Sequence, residues 1–147
     1  MKEIIPVASD HAGYELKEKV KNYLCEKGFE VRDFGTYSTE SVDYPDYVHQ
    51  VGSAVEKAIY RRGIVICGSG NGAQMTVNKY PHVRCALCWT PELALLGRAH
   101  NDANILSLPA RFISDDDALQ IVDKFLNTAF EGGRHARRVE KISRLSM

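Results

Sequence analysis

The chain has 147 residues, 44% of them hydrophobic and 26% charged. That is the length of one ordinary domain, which buries roughly 70% of its unfolded surface, so a disordered chain is excluded. Nineteen Lys and Arg balance nineteen Asp and Glu, so no global field recruits nucleic acid or an anionic membrane, and an anion must be caught by a local cluster. The opening stretch Met1-Lys2-Glu3-Ile4-Ile5-Pro6-Val7-Ala8 turns polar at once, and about 18 apolar residues nowhere run together. A cytoplasmic protein is expected, with Cys25, Cys67, Cys85 and Cys88 as reduced thiols.

Short β-branched runs alternate with amphipathic stretches, the rhythm of βαβ units, and predict a single three-layer α/β/α domain with a five-stranded parallel sheet. Residues 3–8 form the first strand, and Ser9-Asp10-His11-Ala12-Gly13 turns into a helix whose Leu16, Val20 and Leu24 share a face until Gly28 stops it. Residues 29–34 make the second strand. A polar loop over 35–45, long enough to be functional, leads to a helix carrying Val48, Val51, Val55 and Ile59. Gly63-Ile64-Val65-Ile66-Cys67 is a continuous apolar run, the pattern of a strand covered on both faces. There follow a helix to about Lys79, a strand over 83–88, a helix over 91–98 and a strand over 103–108. A helix capped by Ser114 runs through Leu126, and a basic helix over 134–145 follows Gly132-Gly133.

Ligands of an open parallel sheet bind outside the carboxyl ends of its strands. Segments 9–13, 67–72 and 100–104 are expected there, converging on one crevice; the strand order is left open, and if the first and third strands are neighbours, Asp10 and His11 face the Gly-rich loop across a switch point. Gly68-Ser69-Gly70-Asn71-Gly72 lets backbone N–H groups approach an anion at a helix N-terminus. It is neither a Walker A loop, since no Gly-Lys-Ser/Thr follows, nor a dinucleotide fingerprint, since Ala73 replaces the third glycine. Ala73 also stands where a Cys-x5-Arg phosphatase carries its Arg. A plain tight turn is the competing reading of the loop.

Cys67, just before the loop, is a candidate base or nucleophile, against the bland reading of a small buried hydrophobe. His100, assigned to the connection ahead of the fifth strand, is a candidate acid or base, against a role as exposed surface. Arg134 and Arg138 stand four apart on one helix face and suit phosphate, although with Arg137, Lys141 and Arg144 they also read as a solvated face. Cys85-Ala86-Leu87-Cys88 has the spacing of half a zinc site, but it has no second pair and strand alternation sends its sulfurs to opposite faces, so no resident metal is expected. No aromatic interleaving supports RNA binding.

Taken in order, Ser9-Asp10-His11-Ala12-Gly13, Asp43-Tyr44-Pro45, Cys67-Gly68-Ser69-Gly70, His100-Asn101-Asp102-Ala103-Asn104 and Glu131-Gly132-Gly133-Arg134-His135 resemble ribose-5-phosphate isomerase type B, over nearly the whole chain. The resemblance implies a Rossmann-like fold without a nucleotide, and interconversion of ribose 5-phosphate and ribulose 5-phosphate through a cis-enediolate without metal or cofactor. It implies Cys67 as the base, with Ser69 and the N–H groups of Gly70, Asn71 and Gly72 stabilising the oxyanion. It further implies His100 as the acid that opens the furanose and Asp10 as a holder of sugar hydroxyls or an aid to opening. His11, Arg134 and Arg138 would hold the phosphate, while Tyr44, Gly68, Asn101 and Arg111 would complete the pocket. A homodimer or tetramer is implied too, with Tyr44 and His100 donated by the second subunit. The alternatives are isomerases of galactose 6-phosphate or allose 6-phosphate, and a phosphosugar-binding module indifferent to Cys67. Ser69 replaces the Thr more often found in the family loop, and Asn71 stands where several members have an apolar residue.

Overall fold

A computed structural model describes residues 1–144. In chain order the elements are β1 (Ile4–Ser9), α1 (Tyr14–Glu26), β2 (Glu30–Asp33), α2 (Tyr44–Glu56), β3 (Gly63–Cys67), α3 (Asn71–Val77), β4 (Cys85–Leu87), α4 (Pro91–Asn101), β5 (Ile105–Pro109), α5 (Asp115–Asn127) and α6 (Arg134–Ile142). The strands form one parallel sheet in the order β2-β1-β3-β5-β4. β1 and β3 are therefore neighbours, and the direction of winding reverses between them. No helix among the described residues is long and apolar enough to cross a membrane.

All five residues of β3 are buried, and their alternation divides the core. Ile64 and Ile66 pack with Leu16, Val20 and Leu24 of α1, Ala94 of α4 and Phe125 of α5. Val65 and Cys67 face the other layer, with Val48 and Val51 of α2 and Ala73 and Val77 of α3. Cys85 and Cys88 fall into these two opposite clusters, as strand alternation requires.

Several boundaries depart from the sequence reading. Ile59 does not continue the face of α2: the helix ends at Glu56, Ala58 takes a left-handed φ of 57°, and Ile59 is turned out to 63% exposure. α4 runs to Asn101 and is closed by Asp102 at φ 48°, so His100 and Asn101 sit in its last turn and not in a connecting loop. β4 is only three residues long. The basic helix ends at Ile142, and its expected end at Leu145 lies outside the described residues.

One buried ion pair holds the first crossover to the rim of the sheet. Lys17 of α1 has no exposed surface, and its Nζ donates to Asp33 Oδ1 at 2.5 Å and to the Thr36 carbonyl at 2.6 Å. The Tyr14 and Tyr37 rings flank the ammonium. Asp33 also accepts from Lys21 Nζ and from Gly35 N. The loop so held is stitched to the end of β1, with Ser9 N donating to Gly35 O and Thr36 N to Ser9 O. Burial by itself would raise the Asp33 pKa, but the hydrogen bonds from Lys17, Lys21 and Gly35 bring it below the usual carboxylate value. Burial lowers the Lys17 pKa, with Asp33 opposing, so the ammonium bears the desolvation cost.

Asp33→Asn should cost about 3–5 kcal/mol, because it leaves a buried ammonium without its counter-charge. Lys17→Met should cost less, since Asp33 keeps Lys21 and Gly35. Because the folded Asp33 pKa is depressed, its contribution is complete above the unfolded carboxylate pKa and is lost as pH falls through the folded value. Urea unfolding should show the gap between wild type and D33N closing in acid; a gap independent of pH would show that the charge is not responsible.

Candidate active site

The turns after β1 and β3 meet at one point. Asp10 N donates to Ile66 O at 3.3 Å, Gly13 N donates to Asp10 Oδ1 at 3.1 Å, and Asp10 is buried. A Cβ on Gly13 would lie 2.8 Å from the Ile66 carbonyl oxygen, so only glycine lets the turn rest against the strand. The Ser9 hydroxyl beside this contact is buried with no hydrogen-bond partner.

The 68–72 loop is seated on β5. Ala110 N donates to Cys67 O and Arg111 N to Gly68 O, both at 3.0 Å, while Ser107 Oγ donates to Gly70 O at 2.8 Å. Gly70 adopts a left-handed φ of 76°, and a Cβ there would stand 2.4 Å from Leu87 Cδ1. Asn71 N is engaged by Ser69 Oγ at 3.3 Å, which leaves Gly72 and Ala73 to offer first-turn N–H groups that have no helical partner. Tyr44, the first residue of α2, lies against this turn: a Cβ on Gly72 would meet its ring at 2.3 Å. Tyr44 thus comes from the same chain as Cys67, which corrects the expectation that a second subunit donates it.

His11 and Arg111 belong to the same rim. His11 Nδ1 accepts from Val42 N at 3.1 Å, so in this tautomer the ring hydrogen is on Nε2, a donor suited to an anionic oxygen. The Arg111 side chain crosses Gly68, with its nitrogen 3.4 Å from where a Gly68 Cβ would be. Cys67 is 5% exposed, at the mouth of the loop.

The third expected segment does not join this crevice. Gly63 N donates to Asn104 O, which places the end of α4 beside the start of β3. Cys67 pairs with Pro109 and Gly63 with Ile105, so the connection from α4 into β5 enters the sheet at the Gly63 end of β3, away from the Cys67 end. A helix returning to start a parallel strand must end at the amino edge of the sheet, a constraint that motif order does not reveal. There His100 and Asn101 meet α6, and an open groove along the β4 edge is lined by Gln74, Leu87, Cys88, His100, His135 and Arg138.

His100 and His135 stack with centroids 4.1 Å apart at 10°. Glu131 lies beside both, and the three ligand atoms lie within 4.8 Å of one another. No spacing in the sequence announces this cluster, since Glu131 and His135 reach His100 only through the contact of α6 with α4. Burial pushes the His135 pKa below its ordinary value, with His100 and Arg134 adding to the fall and Glu131 opposing it.

All four cysteines are unpaired thiols. Burial pushes Cys85 well above the ordinary thiol value and Cys88 up to about 12, so neither is a nucleophile at neutral pH.

A thiol, a carboxylate and a cradle of backbone N–H groups on one rim of a parallel sheet, with imidazole and guanidinium beside them, have the makeup of an α/β/α site for an anionic metabolite. The model of the Ribose/Galactose Isomerase family matches residues 5–142. The chain is 42% identical to ribose-5-phosphate isomerase B of Escherichia coli, over 95% of this chain and 93% of that one. Among solved structures it resembles ribose 5-phosphate isomerase from Thermotoga maritima, with a TM-score of 0.95, 52% identity, and coverage of 99% of this chain and 100% of that one. It also resembles ribose-5-phosphate isomerase B from Mycoplasma genitalium with bound ribulose-5-phosphate, with a TM-score of 0.93, 43% identity, and coverage of 98% and 96%. The chain belongs to the Ribose/Galactose Isomerase family.

Alkylation of the native protein at neutral pH should label exposed Cys25 first and Cys67 more slowly, and spare Cys85 and Cys88. Peptide mass spectrometry checks the order; early labelling of Cys88 would show that its side of the groove opens in solution.

Proposed function

We propose that the protein is an aldose-ketose isomerase that interconverts ribose 5-phosphate and ribulose 5-phosphate through a cis-enediolate, working as a cytoplasmic homodimer in pentose phosphate metabolism. The observation that carries this reading is the position of Cys67, at the end of a buried strand, one residue after the Ile66 carbonyl that Asp10 N bonds and immediately before a glycine loop packed against Arg111. The names of the relatives agree with it.

In this scheme the Cys67 thiolate takes the proton from C2 of the open aldose and returns it to C1, while the hydroxyl proton passes from O2 to O1. Negative charge builds on the enediolate oxygens, where Ser69 Oγ and the N–H groups at the start of α3 point. The phosphate, held by His11 Nε2 with Arg134 and Arg138, anchors the reacting carbons at a fixed distance from the thiol. Tyr44, Asn101 and Arg111 close the pocket. His100 protonates the ring oxygen of the furanose, with Asp10 on the sugar hydroxyls, and so supplies the scarce open-chain form.

The placement of the groups supports sites shared between two subunits. His100, Asn101 and Arg138 lie along the β4 edge, below the level of Cys67 in their own chain, so they act on substrate at the Cys67 of a second copy docked on that edge. Exposed Met75 of α3 and Trp89 after β4 supply apolar surface for such a contact.

Incubation with ribose 5-phosphate in deuterated water, followed by NMR, should give ribulose 5-phosphate with deuterium at the exchanging carbon. Cys67→Ala should lower turnover by about 10²–10⁴-fold, the range for loss of a general base, and substrate should protect Cys67 alone from alkylation. Unchanged turnover in C67A would remove the base and leave a binding module. An equal mixture of C67A and H100N chains, refolded together, should regain about a quarter of the wild-type rate, since half the dimers then hold one intact site of two. A mixture no more active than its components would place each site within one chain.

A further inference from the structure

The backbone brings His100, Glu131 and His135 together where α6 meets the last turn of α4. Glu131 N donates to Ala99 O at 3.0 Å, which ties the segment before α6 to the last turn of α4. Gly132 and Gly133 then take left-handed φ values of 69° and 55°, and His135 N donates to Gly132 O. The chain so doubles back that the Glu131 carboxylate reaches the Nε2 edge of His135. His135 is buried beneath His100, whereas His100 and Glu131 stay open to solvent, at 38% and 58% exposure.

The carboxylate stands 3.5 Å from His135 Nε2 and 3.8 Å from His100 Nε2, too far for good hydrogen bonds. Three ligand atoms face one another across a gap that none of them fills. The two rings are stacked, and an ion shared by both must lie in the plane of each, so exposed His100 has to turn out of the stack before the three atoms reach the roughly 3.3 Å separations of a tetrahedral zinc site. Two imidazoles and one carboxylate are a zinc ligand set that leaves the fourth position to water, and imidazole disfavours magnesium and calcium. Arg134 and Arg138 oppose a dication here, and the Glu131 charge is set against them.

We propose that His100, Glu131 and His135 form a site for a divalent transition-metal ion, zinc above all, whose occupation withdraws His100 from the reaction and inhibits the isomerase. The inhibitory half rests on the reading of His100 as the ring-opening acid; the binding half does not. An imidazole nitrogen coordinated to zinc has no proton to give to a ring oxygen. The ion is therefore an inhibitor and not a cofactor, and a chelator should leave the activity intact or raise it.

The test uses the full-length protein dialysed against EDTA and then against chelator-free buffer. Zinc is titrated against a chromophoric chelator, and turnover of ribose 5-phosphate is followed at the same free zinc concentrations. Wild type should bind one zinc per chain, inhibition should track occupancy, EDTA should restore the rate, and magnesium should do nothing. Glu131→Gln, a change at an exposed side chain, and His135→Ala should each weaken binding by at least about tenfold, the scale on which even a supporting partner of a ligand matters, and each should shift inhibition, relative to its own metal-free rate, by the same factor. Cys67→Ser should keep the zinc affinity. Undiminished binding in E131Q, loss of binding in C67S, or equal inhibition by magnesium would overturn the site. Zinc held at the site with turnover unchanged would overturn the inhibitory role, and His100→Asn then identifies the failed premise: if that variant is also fully active, the assignment of ring opening to His100 is wrong.

Discussion

Everything at the candidate site depends on how closely backbone can approach backbone at the carboxyl end of β3. The turn after β1 rests on the Ile66 carbonyl through Gly13, and the following loop rests on β5 through Gly70. Hydrogen bonds from Ala110, Arg111 and Ser107 lock the second of these contacts. A methyl group at Gly13 would overlap the Ile66 backbone, which cannot move without shifting a strand, and at Gly70 it would be strained by the left-handed φ and would press on Leu87 Cδ1. This tightness sets Asp10, Cys67 and the N–H groups of the loop at fixed mutual positions, so that their preorganisation comes from the sheet and not from the substrate.

Two kinds of group flank that point, and the fold holds them by different means. His11 lies on the turn into α1 and Tyr44 at the start of α2, next to the polar loop that the Lys17 ammonium holds through Asp33 and the Thr36 carbonyl. A buried charge is a costly anchor, but it is directional, and it stitches a polar loop to the rim where apolar packing alone would leave its register free. His100, Asn101 and Arg138 lie instead on the groove beside β4. A chain with no net charge thus gathers its anion-binding groups into two local clusters, on two levels of one sheet.

The second cluster carries two chemistries in one set of atoms. An imidazole stacked on another and faced by a carboxylate is suited to moving a proton, and the same three groups are suited to holding a metal ion. Proton donation needs His100 unligated, so the two uses exclude each other. The proposed ring-opening acid and the proposed zinc site are in this sense two uses of one local arrangement.

Much of the fold was legible in the sequence, and for local reasons. The apolar run at 63–67, the period of Leu16, Val20 and Leu24, and the glycines at 68, 70 and 72 report backbone sterics and side-chain spacing, which act within a few residues. From them followed the three layers and the five parallel strands, whereas the adjacency of β1 and β3, which brings Asp10 to Ile66, was only a condition until the sheet order was known. Lys17 was not legible, because a lysine beside Leu16 reads as solvent-facing until its buried partner on β2 is known. Nor was the placement of His100: its motif reads alike in a loop or a helix, and only the return of α4 to the amino edge of the sheet sets it apart from Cys67 and beside Glu131 and His135. The sequence by itself determined the elements and nominated the candidate groups, since both depend on short-range chemistry. Which groups share a site was decided by tertiary structure alone, because that depends on where helices end in space.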